Sequence, residues 1–334
     1  MRVLQRTGVS LVALAVAGMP LVATGPASAA PNGAPSGANL GALARCLTNL
    51  PTARAAARDD EDVPKWRENV DTDSVTQADL DALPLEETRR GVVAREVRPR
   101  LSSVVRIPVY VHVIKGTHRG ERVPAGPKRV RNAISILNKG MAGTQSADSA
   151  PARYRFILKK IDYTKRDGWH HAFFNGPRDQ RMKRALHRGN ERTLNLYING
   201  GGPRNEPVLG WSRFPWQYRG TPRLDHVSVN FAALPGGRAS GYNRGDTLVH
   251  ETGHWLGLLH TFEGGCRGAG DIVADTPAEG EPSFYCETTR DTCTADTEKD
   301  PVRNFMDYSL DSCMNQFSPG QVDRMDRAYQ KYRL

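Results

Sequence analysis

Residues 101–334 predict an α+β domain, and three observations carry that prediction. Ile107 to Ile114 (IPVYVHVI) is a strand-length run rich in β-branched residues. Pro127 to Met141 carries Val130, Ile134 and Leu137 at helical spacing. The roughly 230 residues from Ile107 onward suffice for one domain with a substantial core.

The elements follow in chain order. Ile107 to Ile114 opens the domain, where an Ala-, Arg-, Asp- and Pro-rich texture gives way to apolar sequence. Pro127 suits the first turn of a helix, because its missing N–H would have no partner there anyway. Tyr154 to Ile161, Thr193 to Ile198 and His226 to Phe231 read as further strands, and Gly245 to Gly257 as a helix. Ser318-Pro319-Gly320-Gln321 resembles a capping box opening a last helix, whose Val322, Met325 and Tyr329 share a face. There is no internal repeat.

Upstream lie two segments of different character. Residues 1–29 carry Arg2 and Arg6, the apolar run Val9 to Ala17 and the small-residue site Ala27-Ser28-Ala29, the pattern of a secretory signal peptide. Gly18 and Pro20 break the apolar run too early for a bilayer span, and no later run is long and apolar enough, so a transmembrane segment is not expected. Export would place the chain outside the cell, where cysteines can pair. Residues 30–100 have few aromatics and no sustained apolar period, so they are expected to be a propeptide without a large core of its own. Its basic end, Arg95 to Arg100, suits proteolytic processing.

The formal net charge of +10 remains strongly positive once the two signal arginines are removed. Lys and Arg are scattered, and no recognised nucleic-acid motif accompanies them, so no specific nucleic-acid partner is expected. A well-solvated basic surface is the simplest account.

The chemistry is concentrated in His250-Glu251-Thr252-Gly253-His254-Trp255-Leu256-Gly257-Leu258-Leu259-His260, an HExxHxxGxxH string. On a helix, His250 and His254 lie four apart on one face and can point at a common metal ion. Glu251 leaves the adjacent flank, within reach of a metal-bound water without being a ligand. Gly257 permits the left-handed turn that ends the helix and brings His260 to the same ion. Three neutral imidazoles leave a fourth position open, the arrangement of a catalytic rather than a structural zinc site. An HExxH string alone occurs by chance in unrelated helices, but here five positions are fixed at once.

In these residues and in those that follow them, the chain resembles the pappalysin-like metzincins, the M43 group that includes the cytophagalysins, from Ile107 to about Met325. The resemblance rests on Thr261-Phe262, Gly264-Gly265-Cys266, Asp271, Asp275-Thr276-Pro277, Asn304-Phe305-Met306-Asp307-Tyr308, Asp311-Ser312-Cys313 and Phe317 to Gln321. Glu, Asp or Pro after the third histidine would mark the astacin-like, adamalysin or serralysin branches, and Thr261 fits none of them. The resemblance implies a metzincin-type domain with a mixed twisted sheet, a zinc-binding helix and a methionine turn, preceded by a propeptide. It implies a secreted zinc endopeptidase acting on proteins or peptides, with Glu251 as general base. Met306 would form an apolar floor beneath the zinc, and Tyr308 would hydrogen-bond the tetrahedral intermediate. A protease of another metzincin family is the nearer alternative, and a secreted zinc-bearing binding or adhesion protein lacking turnover the further one, although such a protein has no chemical need for Glu251. A monomer is expected.

Further expectations attach to particular residues. Cys266, Cys286, Cys293 and Cys313 allow three disulfide pairings, and their spacing lacks the CxxC of a zinc cluster. The resemblance favours Cys266 with Cys293 and Cys286 with Cys313. The remaining Cys46 stands in the propeptide segment, where its thiolate would occupy the open zinc position in the manner of a cysteine switch, although Leu47 and Thr48 depart from an Arg-Cys-Gly pattern. Asp271, Asp275 and Thr276 offer hard oxygen donors that suit calcium. Asp311 falls in the stretch that, by resemblance, lines the pocket for the residue after the scissile bond, so its carboxylate would favour Arg or Lys there.

Overall fold

The computed structural model describes residues 101–121, 125–267 and 270–334. The segments expected to be a signal peptide and a propeptide, the basic stretch Arg95 to Arg100 and Cys46 lie outside the described residues.

Strand β1 (Val105–Lys115) alternates Ile107, Val109, Val111 and Val113, all fully buried, on the face that meets helix α1 (Pro127–Met141). Strand β2 (Tyr154–Lys165) pairs parallel to β1 along its whole length and runs past the expected Ile161. The added residues are mostly polar, so pairing with β1, rather than hydrophobic pattern, sets the length. Helix α2 (Asp167–His170) and helix α3 (Pro177–Leu186) follow. The sequence reading missed both, because α2 is a single turn and α3 buries only Asp179, Met182 and Lys183 among charged neighbours.

Strand β3 (Leu194–Asn199) is buried throughout, as a central parallel strand covered on both faces must be. Its Leu196 and Ile198 enter the main core, while Tyr197 packs on the opposite face with Ile114 and Met182. Strand β4 (Gly210–Ser212), also missed, is only three residues long and sits among Gly- and Pro-rich loops. Strand β5 (Val227–Asn230) completes the five-stranded sheet, whose order is β2-β1-β3-β5-β4. The first four neighbours pair parallel, and β4 runs antiparallel at the edge. The expected mixed sheet is therefore present.

Helix α4 (Asp246–Trp255) lies against α1, β4 and β5. Helix α5 (Pro319–Tyr332) opens on the expected capping box: the Gln321 amide donates to Ser318 Oγ at 3.1 Å and the Ser318 amide to Gln321 Oε1 at 2.9 Å. Val322, Met325 and Tyr329 are buried together in the core. No helix among the described residues is long and apolar enough to cross a membrane.

Candidate metal centre and active site

Helix α4 ends in two hydrogen bonds that turn the chain back. The Gly257 amide donates to the His254 carbonyl at 2.8 Å and the Leu258 amide to the Gly253 carbonyl at 3.0 Å, a Schellman motif with Gly257 at φ +102°. That reversal returns His260 towards the helix. The Nε2 of His254 lies 3.1 Å from both His250 Nε2 and His260 Nε2.

The outer nitrogens fix the tautomers. His250 Nδ1 donates to the Phe305 carbonyl at 2.6 Å and His254 Nδ1 to the Leu258 carbonyl at 2.8 Å. Their Nε2 lone pairs consequently face inward. Three imidazole nitrogens at hydrogen-bonding distance of one another, two of them fixed as acceptors, form a donor set that fits a cation such as zinc. All three histidines are nearly fully buried. Phe262 stacks on His260 with ring centroids 4.8 Å apart, and Phe214 meets His254 edge-on at 5.4 Å.

Glu251 is fully buried on the same helix, and its carboxylate occupies the space where a Cβ on Gly210 of β4 would stand. The glutamate therefore sits between the histidines' helix and the sheet's antiparallel edge. Tyr308 Oη approaches His260 Nε2 at 3.2 Å, which brings it to the rim of the histidine cluster. Met306 is fully buried, and its sulfur packs so closely on Gly253 that a side chain there would collide with it. Gly253, one residue before the second histidine, admits the thioether beneath the helix.

Residues that sequence pattern singled out acquire physical roles here. Asn304 Oδ1 accepts the Met306 amide at 2.9 Å, and its side chain exchanges hydrogen bonds of 2.9 and 3.0 Å with Gln321. The methionine turn is thus tied to the capping box of α5. Thr261 Oγ1 donates to Glu279 at 2.7 Å, and Glu279 and Asp300 both pair with Arg290. This network sits in the segment closed by two disulfides, Cys266–Cys293 and Cys286–Cys313, the pairing the resemblance implies.

Three expected residues are engaged in ways the sequence did not suggest. Asp275 accepts Ser318 Oγ at 2.6 Å and the Gly320 amide at 2.8 Å, so both its oxygens serve the first turn of α5. Asp271 is buried, with Oδ1 on the Val273 amide at 3.0 Å and burial pushing its carboxyl up to about 8. Asp311 is buried too, with Oδ2 accepting the Arg244 and Gly245 amides at 2.7 and 3.0 Å just before α4 begins.

A single helix carrying two inward-facing imidazoles and a buried glutamate beside a sheet edge, a third imidazole after a glycine turn, and a buried methionine packed on that helix fit a metzincin-type metalloendopeptidase. Comparison with known proteins agrees. The family model described as pregnancy-associated plasma protein-A, peptidase family M43, matches residues 178–330. An extracellular metalloprotease of Pyricularia oryzae is 38% identical over 232 residues, covering 69% of this chain and 77% of its own. Another, from Neurospora crassa, is 34% identical over 274 residues and covers 79% and 89% respectively. Mature mirolysin of Tannerella forsythia, solved with a cleaved peptide, superposes with a TM-score of 0.57 at 28% identity over 70% of this chain and 97% of that one. The chain belongs to the M43, pappalysin-like family of metallopeptidases.

Proposed function

We propose that this protein is a secreted zinc endopeptidase in which His250, His254 and His260 hold the metal and Glu251 is the general base. The convergence of three imidazole nitrogens one residue away from a buried glutamate carries the reading. Zinc held by that donor set would supply Lewis acidity, making a water more acidic and a peptide carbonyl more electrophilic. Glu251 takes the proton of the attacking water and passes it to the leaving amine. Tyr308 Oη, on the rim of the cluster, donates to the developing oxyanion. Strand β4 offers an antiparallel edge along which an extended peptide can lie. The relatives named extracellular metalloproteases support export by residues 1–29, and the name promirolysin for a solved relative supports a pro-form with residues 30–100 as the removed segment.

Preference for Arg or Lys after the scissile bond is the finer part of the proposal. Asp311 Oδ1 is buried without a hydrogen-bond partner, and it is the oxygen left to meet a cationic side chain. Calcium has less behind it: Asp271 and Thr276 are within reach of each other, but Asp275 is committed to α5.

Digestion of a peptide library by the processed protein, with and without a zinc chelator, tests the function. Cleavage should stop with chelation and favour Arg or Lys after the cut. Glu251→Gln should hold zinc with wild-type stoichiometry and lose about 10²–10⁴-fold in turnover. Wild-type-like turnover in that variant would sink the mechanism.

A further inference from the structure

A second group of ligand-bearing side chains lies away from α4, beyond the C-terminal ends of β1 and β3. Glu121 closes a single 3-10 turn (Arg119–Glu121) after β1, His170 ends α2, and His171 follows it. One ligand atom of each lies within 4.8 Å of the others.

The hydrogen bonds around this group orient it as metal ligands are oriented. His170 is fully buried, and its Nδ1 donates to the Ile114 carbonyl at 2.6 Å. Its Nε2 is therefore the lone-pair nitrogen, and it has no hydrogen-bond partner. His171 Nδ1 faces the Gly202 carbonyl at 3.3 Å, which turns Nε2 towards Glu121 Oε1 at 3.1 Å. A nitrogen lone pair and a carboxylate oxygen at that separation repel unless a proton or a cation lies between them.

Glu121 is itself held in place. Arg204 donates Nη1 to Oε1 at 2.5 Å and Nη2 to Oε2 at 3.0 Å. A carboxylate offers about four lone-pair sites, so the arginine leaves capacity for a metal, and ligating carboxylates are commonly hydrogen-bonded from behind in this way. A cavity of about 230 Å³ bordered by Glu121, His171 and Arg204 leaves room for water as a further ligand.

We propose that Glu121, His170 and His171 bind a second divalent transition-metal ion, zinc by the character of two imidazoles and one carboxylate. This centre is separate from the histidines of α4 and does not rest on the function proposed above. It joins the turn after β1 to α2 and, through Arg204 and Gly202, to the loop that leads into β4. The metal staples the approach to the edge strand.

Zinc titration of the chelator-stripped, processed protein, followed by dialysis and elemental analysis, tests it. Wild type should retain two equivalents, and Glu121→Gln and His171→Gln one each. Two equivalents in the variants, or one in wild type and in both variants, would overturn the proposal. One equivalent in wild type and none in the variants would uphold this site and count against the α4 centre instead. Should neither variant fold, anomalous scattering at the zinc edge from wild-type crystals at saturating zinc gives a direct reading. A peak between His170 Nε2 and Glu121 is expected, and its absence overturns the proposal.

Discussion

At Gly257 the backbone takes φ +102°, and a Cβ there would come within 2.8 Å of the Ala328 side chain on α5. Gly257→Ala thus combines backbone strain with a clash, and the expected loss exceeds about 1 kcal/mol. Because the same turn aims His260, zinc affinity should fall with stability; denaturant titration and chelator competition read the two separately. Unchanged zinc affinity would show that His260 does not depend on the turn. The glycine and the three histidines were legible because they fall within eleven residues whose offsets match helix geometry. Thr261 was legible only as a family marker, since its partner Glu279 reaches it through a loop. His170 and His171 gave no signal, because Glu121 joins them only when β1 and β2 pair and α2 folds back.

Helix α5 acts on α4 through buried charges rather than through the apolar stripe that made it predictable. Arg324 Nε donates to the Gly257 carbonyl at 2.8 Å, behind the turn. Arg333, fully buried, stacks over Trp255 at 3.5 Å and pairs with Asp225 at 3.0 and 3.1 Å, while Trp255 Nε1 donates to the same carboxylate at 3.0 Å. Removing the arginine strands a buried carboxylate. Arg333→Ala should therefore cost about 3–5 kcal/mol, measured by denaturant unfolding, and a loss under about 1 kcal/mol would mean that water reaches Asp225. Strand β1, α1 and α5 could be read in advance because each has an apolar period or a capping signal. Strand β4 could not, because its three residues are defined by pairing with β5 and by the neighbouring Glu251, neither of which leaves a local trace.

For the whole molecule, buried acids set the dependence of stability on pH. Burial, with the nearby Asp311 carboxylate second, pushes Asp246 up to about 8, and burial raises Asp311 to about 6. A carboxyl with a raised pKa in the fold favours the folded state most while it is protonated in both states, below about pH 4. That contribution is lost as pH rises through the folded values, between about 4 and 8. Melting temperature should fall across this window, and Asp246→Asn should flatten the decline. A variant with the wild-type slope would assign the pH dependence to other groups.

The two disulfides overlap along the chain, each joining residues 27 apart, with the stretch from Cys286 to Cys293 shared by both loops. For an endopeptidase, which its own copies can cut, the overlap has a plain result. A single cut anywhere between Cys266 and Cys313 leaves the two pieces joined by at least one bridge, and a cut between Cys286 and Cys293 leaves them joined by both. A molecule nicked in its longest irregular segment would still travel as one chain on a gel, and only reduction would disclose the wound.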